Sequence, residues 1–350
     1  MKLSIGIVGL PNVGKSTLFN ALLGRQVANA ANYPFCTIDP NIGVVEVPDD
    51  KLPVLAKIVG TNSIIPAAVE FVDIAGLVKG AATGEGLGNK FLTNIRDCQA
   101  ICHVVRAFEN GDILREGSRD PQFDYEVISA ELILKDLETI EKYISTNEKK
   151  PDDAVRLEVA KKLKSHLEAG NLAIDLKLDE IRTEHAKSFF LLTNKPYFIV
   201  ANVDEEKLAT FNLKIGNIDC VGVCAKIEEE LSALPKEDRQ EYLKSLGIEH
   251  SGLERIIQKA YDTLGLQSFY TAGVKEARAW TIEKGSTGPI AAGAIHTDFI
   301  KGFIMAEVIS FSDYVANNGF QGAKTVGKLR HEGRDYIMQP DDVVEFKINA

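Results

Sequence analysis

Gly9-Leu10-Pro11-Asn12-Val13-Gly14-Lys15-Ser16, with Thr17 next, is the stretch whose reading decides the fold. It satisfies G-x-x-x-x-G-K-[ST]. It follows the apolar run Lys2 to Gly9 and opens the helical pattern Ser16 to Leu23, the context that gives the string its meaning. Glycines let the backbone curl so that successive N–H groups point at phosphates, and the helix N-terminus adds partial positive charge. Lys15 is expected to reach the β- and γ-phosphates and to assist their chemistry, while the Ser16 hydroxyl holds Mg²⁺. Asn12, Val13, Gly14, Lys15, Ser16 and Thr17 are the expected phosphate-side residues.

Working outward, Val69-Glu70-Phe71-Val72-Asp73-Ile74-Ala75-Gly76 reads as a strand ending in D-x-x-G. Asp73 sits where a carboxylate supports Mg²⁺, and Gly76 is expected to offer its N–H to the γ-phosphate. Between the two motifs lies Asn32-Tyr33-Pro34-Phe35-Cys36-Thr37-Ile38-Asp39-Pro40-Asn41. A loop threonine ligates Mg²⁺ only when a γ-phosphate is present, and Thr37 is the expected one. Lys15, Thr37 and Gly76 make the expected catalytic set, and Ser16, Thr37 and Asp73 the metal set.

The pattern of the whole chain fits this frame. Apolar strand candidates at Lys2–Gly9, Ile42–Val47, Ala67–Ile74, Ile101–Val105, Pro196–Asn202 and Ile218–Ala225 are separated by helical stretches, which predicts a mostly parallel α/β sheet. From Tyr125 to Leu192 apolar residues recur at helical spacing, which predicts an insertion of three helices at 125–192 whose charged face is solvated or docks a partner. The nucleotide-binding part is then 1–124 and 193–265, and 266–350 is a small α+β domain with one short helix near Thr297–Lys301.

Composition narrows the class without naming it. The chain has 350 residues, 45% hydrophobic and 26% charged, the make-up of an ordinary soluble globular protein. No apolar run approaches the roughly 20 residues of a membrane span. The five cysteines lack a metal-ligand pattern, and even spacing is expected to place Cys220 and Cys224 on one strand face as packing residues. A cytoplasmic location follows as an expectation. The net charge of −10 argues against a general polyanion binder. No membrane or DNA partner is expected, and nothing demands more than a monomer.

Four segments together, the phosphate loop, Asn32–Asn41, Asp73–Ala81 and Gly84–Asn89, resemble the Obg-related translation-factor NTPases. Asn202-Val203-Asp204-Glu205 and Thr271 to Trp280 narrow the likeness to the YchF branch, the Obg-like ATPases. The resemblance covers nearly the whole chain, helical insertion included. It implies a C-terminal TGS domain of β-grasp fold, ATP hydrolysis and association with ribosomes.

GTPases of this class read guanine with N-K-x-D, whose aspartate accepts from guanine N1–H and the 2-amino group. Here the segment is Asn202-Val203-Asp204-Glu205. Adenine has no 2-amino group and its N1 is an acceptor. The segment resembles the family's N-x-x-E form, which accompanies ATP. Asn202, Val203 and Glu205, with Cys224 of Cys224-Ala225-Lys226, are the expected base-side residues. Leu77 stands where many GTPases carry a water-orienting glutamine, so slow turnover is expected. Asn12 matches the asparagine with which potassium-activated relatives hold K⁺. Arg96, Arg106 and His103 are weaker candidate helpers, and His296 with Asp298 reads as a helix start. The competing readings are a GTPase of the same architecture, a metabolite kinase and a scaffold without turnover.

Overall fold

The structure, a computed structural model, describes residues 3–24, 41–74, 95–109, 118–148 and 153–349. The chain divides into two compact units, Met1–Val45 with Glu70–Ile256, and Glu46–Val69 with Ile257–Ala350.

In chain order the elements begin with β1 (Ser4–Val8), α1 (Lys15–Leu23), β2 (Ile42–Glu46), α2 (Lys51–Val59), β3 (Ile64–Ile65), β4 (Ala68–Asp73) and β5 (Ala100–Ala107). Three helices follow, two of them long: α3 (Pro121–Asn147), α4 (Ala154–Glu168) and the shorter α5 (Glu180–Lys187). Next come β6 (Tyr197–Val203), α6 (Glu205–Leu208), β7 (Lys214–Ile215), β8 (Ile218–Asp219), β9 (Val221–Val223), α7 (Ala225–Ala233), α8 (Lys236–Ser245) and α9 (Gly252–Thr263). The C-terminal part holds β10 (Leu266–Ala272), β11 (Ala277–Glu283), α10 (Gly288–Ile295), α11 (Phe299–Gly302), β12 (Phe303–Ser310), α12 (Phe311–Ala316), α13 (Phe320–Thr325), β13 (Arg330–Glu332) and β14 (Asp342–Ile348).

The first unit is built on a six-stranded sheet in the order β2-β4-β1-β5-β6-β9. β1 pairs in parallel with both β4 and β5, and β6 with both β5 and β9. Strands covered on both faces must be apolar along their whole length, and all five residues of β1 are buried. This is the expected α/β sheet, with β1 in the middle of it and the phosphate loop at its C-terminal end.

Each of these three helices starts on an aspartate. Asp120 accepts from the Phe123 N–H with Pro121 at the first helical position, Asp153 accepts from Val155 and Arg156, and Asp179 from Arg182. Ile133, Ile140, Val159, Ala160, Leu163 and Leu167 form the core between α3 and α4. The charged face pairs with itself: Glu158 with Lys162 at 2.8 Å and with Arg182 at 3.2 Å, and Lys164 with Glu141 at 3.0 Å. Such exposed pairs contribute at most about 1 kcal/mol each. The third helix stops at Lys187, short of the expected Leu192, because Phe190 takes a left-handed conformation at φ 51.

The second unit has its own six-stranded sheet, β13-β12-β14-β10-β11-β3. Its edge strand β3 comes from the segment between β2 and β4, pairing Ile64 and Ile65 in parallel with Ala277 and Arg278. The same segment carries α2, and Asp49 at its start accepts a 2.9 Å hydrogen bond from the Tyr270 hydroxyl. The expected single short helix is one of four, the others being α10, α12 and α13. A cluster of basic residues, Lys324, Lys328, Arg330, His331 and Arg334, is largely committed. Lys328 pairs with Asp313 at 3.2 Å, Arg330 with Glu332 and Asp342 at 3.1 Å each, and Arg334 donates to the Phe303 carbonyl at 3.0 Å. His296 closes α10 and Asp298 opens α11 without a side-chain cap.

One cysteine expectation is corrected. Cys220 lies between β8 and β9, and Cys224 follows β9 as the residue before α7, so the two do not share a strand face. Cys98, Cys102 and Cys224 are buried and Cys220 is half-buried.

Candidate nucleotide site

The phosphate loop runs from the end of β1 into α1. Gly14, before the first helical residue, is left-handed at φ 97 and supplies no side-chain cap, so the first N–H groups of α1 stay open to an anion. A Cβ at Gly14 would also come within 2.2 Å of the Asn202 amide nitrogen. Lys15 is buried, and its ammonium donates to the Leu10 carbonyl at 2.9 Å. Burial pulls its pKa below the ordinary lysine value, and the charge of Asp73 opposes that pull. The two strand ends that carry them are neighbours, with Ile7 of β1 in register with Asp73 of β4. Ser16 and Thr17 are exposed at the helix start. A hydroxyl and a carboxylate beside an open helix N-terminus are hard oxygen donors that suit Mg²⁺ with phosphate oxygens completing its shell. Asn12 is exposed and left-handed at φ 61. Thr37 and Gly76, like Leu77 and the Gly84–Asn89 segment, lie outside the described residues.

Asn202 is the next-to-last residue of β6 and is buried. Its amide nitrogen donates to the Val13 carbonyl at 3.1 Å, and its oxygen accepts the Ala225 N–H at 3.2 Å. It therefore clamps the phosphate loop to the start of α7, a role that sequence alone did not suggest. One amide hydrogen and one lone pair are left for a base. Val203 is buried in the core with Val105, Ile199, Leu208 and Ile227. Asp204 accepts the Glu109 N–H at 3.2 Å and pairs with Lys207 at 3.5 Å, while Glu205 is exposed at the start of α6. Cys224 is buried, its thiol pushed up by burial and by the charges of Glu205 and Asp204.

The candidate helpers are engaged elsewhere. Arg96 donates to the Thr139 hydroxyl at 3.1 Å, and Arg106 lies over the Phe108 ring at 4.3 Å. His103 is buried on β5 between the rings of Tyr125 and Tyr197, and burial pulls its pKa down to about 3. It is neutral when folded and charges only on unfolding, so the unfolded chain binds one more proton below the ordinary value of 6.5. The stability it contributes is present above 6.5 and lost as pH falls toward the folded value. We expect this loss to approach ~1.4 kcal/mol per pH unit below roughly pH 6, ahead of carboxylate titration. Urea midpoints at a series of pH values check it. His103→Phe should flatten the slope, and an unchanged slope in the variant would assign it to other groups.

Comparison with known proteins adds the kinship. A profile described as 50S ribosome-binding GTPase matches residues 4–162, and the profile YchF-GTPase_C, described as a protein of unknown function, matches 266–349. The chain is 47% identical over 367 residues to a Bacillus subtilis protein named ribosome-binding ATPase YchF, with all of both chains covered. This chain belongs to the YchF family. An identically named Escherichia coli O157:H7 protein is 50% identical over 367 residues, again with both chains fully covered. The solved structure of the Schizosaccharomyces pombe YchF GTPase superposes with a TM-score of 0.87 at 34% identity, covering 99% of this chain and 98% of that one. The YchF relatives thus carry two nucleotide names, ATPase and GTPase. Among the described residues no helix is long and apolar enough to cross a membrane.

Proposed function

We propose that this chain hydrolyses ATP to ADP and phosphate with Mg²⁺, and that its nucleotide state governs association with the ribosome. The observation that carries the choice of ATP is the base-side segment. Position 203 holds a core valine where guanine readers hold lysine, and position 205 holds a glutamate, exposed at the start of α6, where they hold aspartate. The ribosome-binding ATPase name of the full-length relatives supports the same reading.

The residues divide the work. Lys15 binds the β- and γ-phosphates, and the N–H groups from Val13 through Thr17 cradle them. Ser16 and Asp73, with Thr37, hold Mg²⁺, which when bound neutralises charge developing on the transferred phosphoryl group. Gly76 contacts the γ-phosphate. Asn202, Glu205 and Cys224 border the base, and Val203 supports that border from beneath. Asn12 holds K⁺, which serves where other enzymes use an arginine finger. Residues 125–192 form the helical insertion and 266–350 a TGS domain that binds and does not catalyse. The protein works as a cytoplasmic monomer.

Calorimetric titration of the full chain with ATP and GTP, in Mg²⁺ with either K⁺ or Na⁺, tests the assignment. We expect ATP to bind at least tenfold more tightly than GTP, about 1.4 kcal/mol, and turnover to fall when Na⁺ replaces K⁺. Tighter GTP binding would overturn the base choice and leave the phosphate site standing. Equal turnover in the two salts would remove the K⁺ role.

A further inference from the structure

The base-side loop has a buried support behind it. Glu228 lies in the first turn of α7, closing that turn with its own N–H on the Cys224 carbonyl at 3.1 Å. Its side chain is only 1% exposed, and its Oε1 accepts the Gly252 N–H at the start of α9 at 2.6 Å. Arg255, within the same turn of α9, donates to the Gly222 carbonyl of β9 at 2.8 Å and feels the charge of Glu228. Gly252 sits so close that a Cβ there would come within 2.6 Å of the Val223 side chain and 3.0 Å of the Glu228 carboxylate. A reciprocal capping box fixes this end of α9: the fully buried Ser251 accepts the Glu254 N–H at 3.2 Å, and Glu254 accepts the Ser251 N–H at 3.1 Å.

A buried carboxylate beside a half-buried guanidinium is no better for stability than well-packed apolar residues, so their presence asks for a reason of geometry. The geometry available is the register of Gly222 to Ala225. The Gly222 carbonyl is held by Arg255, Val223 is wedged by Gly252, and the turn beginning at Cys224 is anchored through Glu228. Ala225 in turn donates to Asn202, which holds the phosphate loop at Val13.

We propose that Glu228 and Arg255 are positioning residues for the nucleotide base: together they fix the Cys224–Ala225 backbone that the base meets, and so set its affinity and selectivity without touching it. The inference rests on the nucleotide-binding function proposed above and adds residues that no sequence motif marks.

The test uses the full chain with Glu228→Gln, Arg255→Met and the double variant, titrated calorimetrically with Mg-ATP and with inorganic triphosphate. Glu228→Gln retains an acceptor for Gly252 and removes the charge. We expect the ATP Kd to rise about tenfold in each single variant, with no further rise in the double, because the pair acts as one unit. Binding of triphosphate, which has no base, should change by less than about twofold. Circular dichroism establishes that each variant folds, and Arg255→Lys, which keeps the charge and shortens the reach, replaces any that does not. An unchanged ATP Kd, or equal weakening for ATP and triphosphate, overturns the proposal. Failure of the unsubstituted protein to bind ATP would overturn the function itself, a result visible before any variant is made.

Discussion

Replacing Lys15 with alanine is expected to lower ATP turnover by a factor of ~10²–10³, the scale for removing one preorganised cation or donor from a charge-developing transition state. Without nucleotide the ammonium already has an acceptor. It is buried and donates to the Leu10 carbonyl of its own loop at 2.9 Å, beside Asp73. Binding exchanges that neutral acceptor for phosphate oxygens, and charge-assisted bonds of this kind are roughly twice as strong as neutral ones. Without nucleotide the variant should melt within about 3 °C of the parent, because loss of the Leu10 bond is offset by relief of a desolvated charge. Steady-state turnover and calorimetric ATP binding, measured beside the melting curve, separate the two effects. Turnover within tenfold of the parent in a folded variant would remove Lys15 from the mechanism.

The contrast between Lys15 and Asn202 indicates what the sequence could reveal. The phosphate loop is local: strand, turn and helix start lie within a score of residues, each with its own pattern, and the structure places them so. The strand that ends on Asp73 was legible because its apolar run is local too. The Asn202 clamp joins residues 189 positions apart, and no periodicity encodes such a bond. For the same reason nothing in the sequence singles out Glu228 or Arg255, whose partners Gly252 and Gly222 lie 24 and 33 positions away. Helix α2 escaped notice because it is nine residues long with a proline in its first turn. Asp49 makes it viable, accepting the N–H groups of Lys51 and Leu52 at 2.8 and 3.1 Å. Helix α10, rich in glycine and alanine, lacks the amphipathic stripe that marked the insertion helices. The Cys220–Cys224 alternation misled because the strand is interrupted at Cys220, between β8 and β9, which breaks the period that the count assumed.

The largest stability effect is expected at Asp136→Ala, within the insertion. Asp136 lies on α3 and is 1% exposed, and one carboxylate serves three donors. It accepts the Leu192 N–H and the Thr193 N–H at 2.8 Å each, and the Thr193 hydroxyl at 2.6 Å. That hydroxyl oxygen then accepts the Ala173 N–H at 3.1 Å, so the network binds two short turns to the long helix. Burial raises the Asp136 pKa, and the hydrogen bonds from Thr193 and Leu192 work against the rise. Truncation leaves two buried backbone donors unsatisfied at about 1–3 kcal/mol each, so a loss of ~3–5 kcal/mol is expected. The turn it holds, Leu192–Asn194, leads directly into β6, whose far end carries Asn202. A loosened entry to β6 should therefore weaken ATP binding as well, but by less than the Asn202 clamp itself contributes, since β6 remains paired with β5 and β9 on either side. Urea unfolding monitored by circular dichroism gives the stability change, and calorimetry gives the affinity. A midpoint unchanged from the parent would mean that water replaces the carboxylate. A collapse of ATP binding with stability retained would mean that Asp136 reaches the nucleotide site by a path other than this turn.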